Sequence, residues 1–434
     1  MLRFLTSGES HGRALLAILD GMPAGVPIDC QRVNQELRRR QQGYGRGARQ
    51  KIENDQLELI GGVRHGITSG APLGLFIANR DWGNWQHVMS AAAVDLCSDE
   101  VIAQLEKKAI KRFRPGHADL AGTLKFRQRD IRDVLERASA RETAVRVAVG
   151  AVCQELLAQF NIQVIGHVVQ VGQVKAPSAY DHTSLSDLDA KILQSELFCA
   201  DPAATDQMRE LVKAAWQEGD SLGGVVEVLA DGLPVGLGSY TQWDERLDGQ
   251  LAQAVISIQA FKAVEVGDGV ESAGQVGSSV HDPLYPSSQE DVGLAGRLDL
   301  PFMRKSNRAG GLEGGMTNGE RLKLRAYMKP LPTLRKALPS VSFPDFQADT
   351  AHFERSDVCA IAAASVVCKA MVAFVLARAM INKFGGDTLA DMRQAVGEYL
   401  SHCQARGHAG QGVPGQGVGP TSGRSEANPE AESE

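Results

Sequence analysis

Two distant stretches of this chain repeat one pattern. Residues 15–25 read LLAILDGMPAG and residues 225–236 read VVEVLADGLPVG. In each, an apolar run typical of a β-strand leads into Asp-Gly-x-Pro-x-Gly, and a polar helical segment follows. A chance likeness of two turns is one explanation. The other is an internally duplicated fold with two similar halves, which would constrain the architecture more than any other feature of the sequence.

Strand-like and helix-like segments alternate around these repeats. RALLAILDG predicts a strand that enters a turn, and QRVNQELRRR predicts a polar helix. Residues 139–160 predict a long helix, because their apolar residues recur at intervals of three and four. Ser139 and Glu142 match the S-x-x-E capping box expected at its start. The alternation is typical of an α/β (α+β) protein.

The most apolar window, residues 358–380, has the length of a membrane span. Lys369 lies near its centre and alanine supplies much of its bulk, so we predict a buried core helix and no membrane association. At the N-terminus, Arg3 and Glu9 interrupt any apolar run of the kind that a signal peptide needs. The cytoplasm is therefore the expected location.

Composition narrows the class of protein. The 434 residues are 43% hydrophobic and 23% charged, as in a globular protein with a sizeable core. The net charge of −6 argues against general nucleic-acid binding, so any basic patch is expected to serve a small anion. The seven cysteines show no Cys-x-x-Cys spacing, so we predict neither a disulfide framework nor a metal site.

Residues 405–434 differ in composition from the rest of the chain. They are rich in Gly, Pro and Ser and end acidic, so they cannot bury enough apolar surface to offset their ordering entropy. We predict one domain over residues 1–404 and a disordered tail over 405–434. GQGVPG (410–415) and GYGRGA (43–48) match dinucleotide-binding patterns, but no predicted strand leads into either of them.

Chemically useful side chains cluster in several places. SGESHGRA (7–14) places an acid, a hydroxyl and an imidazole between two glycines, although a surface loop is the alternative for these letters alone. Residues 37–51 and 107–120 concentrate arginine and lysine. Because the guanidinium fork suits carboxylate and phosphate, these clusters indicate a pocket for a multiply charged anion. A solvated basic face is the alternative for either cluster.

The helix predicted to start at Ser139 offers a second anion site, through its free N–H groups and the positive end of its dipole. Arg137 and Arg141 flank this start, where capping alone does not explain a cation. The glycines of 307–320 can bring backbone close to a ligand, though a hairpin fits equally. FERSD (353–357) precedes the apolar helix. Together these features indicate a small-polyanion pocket and are compatible with a phosphate-bearing cofactor.

These stretches, in this order, resemble the chorismate synthase family. The resemblance extends from the first residues to about 385, while residues 85–110 and 270–290 carry few motif residues. It rests on GESHG (8–12), RRRQQGYGRG (38–47), FRPGHADL (113–120), SARETAVRVAVGA (139–151), VEVGDG (264–269), NRAGGLEGGMTNGE (307–320), MKPLPT (328–333) and ERSD (354–357).

The resemblance implies a lyase of the shikimate pathway, which leads to the aromatic amino acids. The family converts 5-enolpyruvylshikimate 3-phosphate to chorismate by anti-1,4-elimination of phosphate, with reduced FMN lending electron density in an overall redox-neutral reaction. The implied fold is a single β-α-β sandwich with internal pseudo-twofold symmetry, in a homotetramer. The wording resembles the bacterial form that depends on a separate flavin-reducing system, with NADPH as an indirect reductant. Whether the chain reduces its own flavin stays open.

The resemblance also assigns roles to individual residues. His11 would help the phosphate depart, His117 would stabilise the anionic side of the reduced flavin, and Asp357 would handle a flavin proton. Ser10 and Ser139 would act as proton relays. Substrate or NADPH would be held by Arg40, Arg46, Arg49, Arg114 and Arg141. FMN would be lined by Arg137, Ala138, Ser139, Gln259, Ala260, Gly314, Lys329, Pro330, Leu331, Pro332, Thr333 and Arg355.

Three glycines within residues 40–50 predict a mobile loop that closes over flavin and substrate. Two other classes of protein fit part of this pattern. A flavin oxidoreductase with net hydride transfer shares the cofactor but needs a nicotinamide site. A non-catalytic anion-binding protein would have no use for His11, His117 and Asp357 around one pocket.

Overall fold

The computed structural model describes residues 1–47, 54–177, 180–286, 300, 302–354 and 357–408. The strands are β1 (Arg3–Ser7), β2 (Ala14–Asp20), β3 (Glu58–Gly61), β4 (Val63–Arg64), β5 (Ile67–Thr68), β6 (Leu73–Ala78), β7 (Gln163–Val171), β8 (Val174–Lys175), β9 (Gly224–Asp231), β10 (Phe261–Val266), β11 (Tyr285–Pro286), β12 (Phe302–Met303), β13 (Leu312–Glu313), β14 (Met316–Thr317), β15 (Leu322–Met328), β16 (Pro339–Val341) and β17 (Ala348–Thr350).

The helices alternate with these strands along the chain. They are α1 (Cys30–Gln41), α2 (Asp99–Lys108), α3 (Asp119–Phe126), α4 (Ile131–Ala138), α5 (Thr143–Ala158), α6 (Leu185–Ile192), α7 (Pro202–Glu218), α8 (Leu247–Ile256), α9 (Gly269–Ser272), α10 (Gly277–Val280), α11 (Ile361–Phe384) and α12 (Leu389–His408). Turns of 3-10 helix cover Arg80–Asn84, Ala140–Glu142 and Trp243–Glu245.

The longer strands form two antiparallel sheets. The N-terminal sheet has the order β1-β2-β6-β3, and the C-terminal sheet has the order β10-β15-β9-β7-β8. In the N-terminal sheet the side chains alternate between faces, so Leu15, Ala17 and Leu19 of β2 are buried while Ile18 is exposed. This alternation directs one apolar face of the sheet toward the interior.

Two long helices form the layer between the sheets. Helix α5 contacts the N-terminal sheet, α11 contacts the C-terminal sheet, and the two helices contact each other. They approach closely at Gly150, where an added Cβ would lie 2.4 Å from the backbone of Ala370. The layers confirm the β-α-β sandwich that the resemblance implies, with one main core and a small separate cluster of Ile110, Phe113, Ile131 and Leu135.

Helix α11 is the predicted core helix. Among the described helices, it alone has the length and composition to cross a membrane, and 94% of its most apolar window is buried inside the protein. Lys369, at its middle, is buried and forms an ion pair with Glu36. The burial confirms the prediction of a core helix in place of a membrane span.

The two halves follow the same course after the repeated motif. Strand β2 pairs with β6, and β9 pairs with β15, each after a short hairpin, β4–β5 or β13–β14. The last residue of each hairpin is a threonine. Thr68 Oγ1 donates to the Pro23 carbonyl and Thr317 Oγ1 donates to the Pro234 carbonyl, both at 2.6 Å. The equivalent bonds confirm the duplication and exclude a chance likeness of two turns.

Glycine is required at the same point of both repeats. Gly21 and Gly232 have φ values of +88° and +79°. An added Cβ would lie 2.5 Å from the carbonyl oxygen of Met1 in the first half and of Asn161 in the second. Those carbonyls lie two residues before β1 and β7, so each turn packs against the start of the neighbouring strand.

The start of α5 differs from the prediction. The helix begins at Thr143, and Ser139 caps the preceding 3-10 turn by accepting from the Arg141 N–H at 3.3 Å. The Glu142 carboxylate accepts from Arg146 Nε at 2.9 Å and does not return to Ser139. The predicted capping box is therefore wrong, because a charge-assisted bond to Arg146 outcompetes a neutral N–H for that carboxylate.

The last described helix extends past the predicted domain boundary. Helix α12 continues through residues 405–408, and its Leu389 and Met392 lie in the main core. Residues 409–434, the remainder of the predicted tail, lie outside the described residues.

Candidate active site

A cavity of about 620 Å³ lies where several loops meet the start of α11. Its size is within the range of small-molecule sites, roughly 300–1,000 Å³. It brings together most of the residues that the resemblance assigned to a site. The lining includes Ser10, His11, Arg40, Arg46, Arg114, His117, Ala138, Ser139, Arg141, Gln259, Ala260, Lys329, Leu331, Pro332, Thr333 and Asp357.

Arg137 takes a different position from its neighbours in the sequence. Its guanidinium donates to the carbonyl oxygens of Gly8 at 3.0 Å and Thr6 at 3.2 Å. It therefore covers the outer edge of β1 and is not part of the cavity lining. The bond to Gly8 ties α4 to the loop that carries His11.

Gly314 lies at the hairpin between β13 and β14, whose Gly315 carbonyl accepts from the N–H of Leu247 at the start of α8. The residue of α8 that lines the cavity is Ile256, at the opposite end of the helix from Leu247. Ten helical residues separate these ends by roughly 15 Å, so Gly314 is remote from this chain's cavity. Pro330 is absent from the lining although both its neighbours belong to it. Arg49 and Arg355 lie outside the described residues.

His11 is held by a carboxylate from a different part of the chain. Its Nδ1 lies 2.8 and 2.9 Å from the two oxygens of Glu136, and its backbone N–H donates to the same carboxylate at 2.9 Å. The N–H of Ser10 donates to the Glu136 carbonyl at 3.0 Å. Glu136 is buried and also accepts from Arg132 at 2.7 Å. The carboxylate occupies Nδ1, so Nε2 is the ring nitrogen available to the cavity.

His117 has a carboxylate partner in its own loop. Its Nδ1 lies 2.5 Å from Asp119 Oδ1, and Arg114 donates to the same carboxylate from Nε at 2.8 Å. An ionised carboxylate can only accept, so the proton between them lies on Nδ1 and Nε2 faces the cavity. Burial alone would raise the pKa of Asp119, but the bonds from His117 and Arg114 outweigh it and lower the pKa to about 2.

Two arginines share one buried carboxylate on another wall. Arg141 Nη1 lies 2.7 Å from Asp55, and Arg40 Nη1 lies 3.5 Å from it. Arg40 also donates to the hydroxyl of Thr143 at 2.9 Å. Burial lowers the pKa of Arg40 to about 9, with the Arg141 charge adding to that effect, so the guanidinium still carries its charge at neutral pH. Two guanidinium groups therefore lie side by side on this wall.

Arg46 and Asp357 form the next part of the wall. Their side chains lie 3.1 Å apart, and the N–H of Gly47 donates to Asp357 at 2.6 Å. An added Cβ at Gly43 would lie 2.7 Å from Ala362, so glycine lets this loop pack flush against the start of α11. This close packing is a second reason for glycine at position 43, and the mobility of the loop stays a prediction. Residues 48–53 lie outside the described part of the chain.

Lys329 joins two further segments of the lining. Its backbone N–H donates to the Ala260 carbonyl at 3.0 Å, and its ammonium donates to the Gly116 carbonyl at 2.7 Å. Ala260 has a φ of +70°. This left-handed region of the backbone is energetically unfavourable for any residue that carries a side chain. The strain lies at the cavity, where functional sites tend to hold it.

The carboxylates that orient the site could not be identified from the sequence. Asp119 lies two residues after His117 within FRPGHADL, but its role as the partner of that histidine was not visible; Glu136, just before Arg137, lies outside the family motifs. Asp55 had no local signal, because its arginines come from distant segments. Among the described residues, no group of three or more His, Cys, Asp or Glu side chains has the arrangement of a metal site.

A duplicated β-α-β sandwich with a cationic cavity and two carboxylate-held histidines defines an anion-binding α/β enzyme. Comparison with known proteins narrows this class. A family model described as chorismate synthase matches residues 2–381. A chorismate synthase of Brevibacillus brevis is 49% identical over 403 residues, covering 93% of this chain and 100% of the relative. One from Moorella thermoacetica is 50% identical over 404 residues, with the same coverage of 93% and 100%.

The structural comparison agrees. A crystal structure of a chorismate synthase matches with a TM-score of 0.73 and 39% identity, covering 93% of this chain and 98% of that one. The chain belongs to the chorismate synthase family. This confirms the resemblance found in the sequence motifs.

Proposed function

We propose that this chain converts 5-enolpyruvylshikimate 3-phosphate to chorismate and phosphate, as a carbon–oxygen lyase of aromatic amino acid biosynthesis. The family match and the names of the relatives support this activity. The observation that carries it is the pair of histidines, His11 and His117, each held at Nδ1 by a buried carboxylate on one cationic cavity.

The charge of the cavity suits such a substrate, which carries a phosphate and two carboxylates. Arg40 and Arg141 both contact Asp55, so two guanidinium groups lie together on this wall. Lys329 adds an ammonium that donates to a neutral carbonyl, that of Gly116. Arginine forks can bind phosphate or carboxylate through two parallel bonds, which fixes orientation as well as affinity.

Reduced FMN is the cofactor in this proposal, and the lining fits such a group. The start of α11 and the segment that follows α8 present an apolar surface through Ala363, Ala364 and Ile258, suited to a flat ring system. The Ser139 and Thr333 hydroxyls lie on the same lining and can bond polar edges. When bound, reduced FMN supplies transient electron density to the elimination and recovers it, so no reductant is consumed.

The protein's own residues supply charge stabilisation and orientation. Negative charge develops on the oxygen that leaves with phosphorus, and His11 Nε2 with the arginines would stabilise it. His117 would face the anionic side of the flavin, since its Nδ1 is already bonded to Asp119. Asp357, with Ser10 and Ser139 as relays, would handle the flavin proton. Ser139 Oγ donates to Ser10 Oγ at 3.2 Å, which gives the relay one observed link.

The remaining expectations follow from the family resemblance. They are a cytoplasmic homotetramer, an external flavin-reducing system, and NADPH as an indirect source of electrons. We also propose one catalytic domain over residues 1–404, followed by a tail over residues 405–434.

An anaerobic assay tests the activity. The purified protein receives 5-enolpyruvylshikimate 3-phosphate and photoreduced FMN, and both chorismate and phosphate are measured over time. We expect equal amounts of the two products, and none without FMN. A protein that binds the substrate but releases neither product would overturn the proposal.

A further inference from the structure

Trp85 stacks on the imidazole of His11. The ring centroids lie 3.9 Å apart with an interplanar angle of 25°. The indole N–H donates to Asp81 at 2.9 Å, which fixes the rotation of the indole. Trp85 belongs to the stretch that carries few family motif residues, so the sequence assigned it no role.

Glu136 and Trp85 restrict two different motions of the His11 ring. The carboxylate lies in reach of Nδ1 with both oxygens, so it fixes the rotation of the ring within its plane. The indole covers one face of the ring and prevents tilting.

We propose that Glu136 and Trp85 are positioning residues that keep a proton on Nδ1 of His11 and direct Nε2–H at the departing phosphate. The reaction that this arrangement serves is the proposed elimination, and that part of the inference rests on the proposed function. The arrangement of the ring and its proton does not depend on it.

The charged groups around the His11 and Trp85 rings carry both signs. Arg132 pairs with Glu136 and its guanidinium lies 4.9 Å from the Trp85 ring, while Glu354 lies 3.8 Å from Arg132. The Lys108 ammonium lies 3.4 Å from the centre of the Trp85 ring. Burial would raise the pKa of Glu136, but the His11 and Arg132 contacts lower it overall, so the carboxylate stays ionised beside the imidazole. The facing charged groups are Glu136, Arg132, Lys108, Asp81 and Glu354.

Trp85 fluorescence reports directly on this arrangement. An imidazolium stacked on an indole quenches its emission, so emission should change with pH as His11 gains or loses its proton. Replacing the other three tryptophans by phenylalanine (Trp82→Phe, Trp216→Phe and Trp243→Phe) leaves Trp85 as the sole fluorophore. In this background, His11→Gln should abolish the pH-dependent change.

Glu136→Gln is the decisive variant. Loss of an opposite charge in contact with the ring should move the fluorescence midpoint to lower pH. Asp119→Asn, the same change beside the other histidine, is the matched control and should leave the midpoint in place. If Glu136→Gln does not fold by circular dichroism, Glu136→Asp retains the charge at greater distance and should give a smaller shift in the same direction.

An unchanged midpoint in Glu136→Gln would overturn the inference, as would emission that responds to pH equally with and without His11. In the activity arm, Glu136→Gln should lose turnover on the alkaline side of the pH profile, with kcat falling more than KM rises. A chain that shows the fluorescence shift but makes no chorismate would keep the arrangement of His11 and refute the proposed function. The two failures are therefore distinguishable.

Discussion

The two histidines of the cavity are built in contrasting ways. His117 finds its carboxylate and its arginine within residues 114–119 of one loop. His11 depends on Glu136, 125 positions away in α4, and on Trp85 from a third segment. The same chemical device, a buried carboxylate on Nδ1, is thus local in one case and assembled by tertiary packing in the other. The His117 site is fixed by its own loop. The His11 site forms only when α4 and the 3-10 turn Arg80–Asn84, which precedes Trp85, pack correctly against the His11 loop.

The largest expected effect comes from removing either ring. His11→Ala and His117→Ala should fold and bind FMN, yet each should lose on the order of 10²–10⁴-fold in turnover, the range for a positioned acid. Anaerobic steady-state kinetics and flavin titration measure the two quantities. Near wild-type turnover in either variant at neutral pH would break the comparison, because that histidine would have no role.

Acid stability sharpens the contrast at the local site. The pKa of Asp119 is about 2 in the folded protein, against an ordinary value of 3.8, so its contribution to stability is complete above about pH 4 and is lost as pH falls through 2. Asp119→Asn should therefore lower the unfolding free energy at neutral pH by about 2 kcal/mol. The deficit relative to wild type should shrink between pH 4 and pH 2.

Denaturant unfolding of both proteins across that pH range checks this prediction. Asn at this position keeps the size of the side chain and removes the charge. A deficit that stays constant from pH 7 to pH 2 would mean that ionisation of Asp119 does not stabilise the fold.

Arg46 tests a second long-range contact, since its partner Asp357 comes from just before α11. Arg46→Lys keeps the charge and loses the planar fork. Hydrogen bonds to charged groups are worth about 1.5–3 kcal/mol, so kcat/KM should fall roughly tenfold or more, through both a higher KM and a slower kcat. Steady-state kinetics with the substrate varied gives both constants. A lysine variant with unaltered constants would show that charge alone suffices at this position.

The smallest effect is expected beyond α12. Deleting residues 409–434 should leave turnover and Tm almost unchanged, because their Gly-, Pro- and Ser-rich composition lacks the apolar side chains that packing needs. Activity and thermal melting of the truncated chain measure this. A lower apparent mass than the full chain's assembly by size-exclusion chromatography would instead identify these residues as part of an interface.

The sequence predicted the parts of this molecule that local patterns determine. The repeated Asp-Gly-x-Pro-x-Gly turns indicated the duplication, because Gly21 and Gly232 must be glycine wherever such a turn meets its neighbouring strand. The apolar run of α11 also indicated a core helix, because the composition of a segment can be judged from the sequence without knowing what the segment packs against. The β-α-β sandwich came from the family resemblance, and the order of the strands within each sheet came only from the structure.

What the sequence could not predict depends on distant partners. The Ser139–Glu142 spacing predicted a capping box, but Arg146 takes the Glu142 carboxylate. That local pattern had two physical explanations, and a contact from elsewhere in the fold decided between them. The glycines near Arg46 predicted a mobile loop, and this stays a prediction; the packing of Gly43 against Ala362 of α11 adds a second reason for glycine that only the fold reveals.

The most direct test of this account is the ratio of product to reductant in anaerobic turnover. With a small amount of photoreduced FMN, no NADPH and excess 5-enolpyruvylshikimate 3-phosphate, the absorbance of oxidised flavin and the release of phosphate are followed together. The account predicts many phosphates per flavin with the flavin still reduced at the end, since the elimination returns its electrons. One flavin oxidised per phosphate released would contradict it and identify a net oxidoreductase instead.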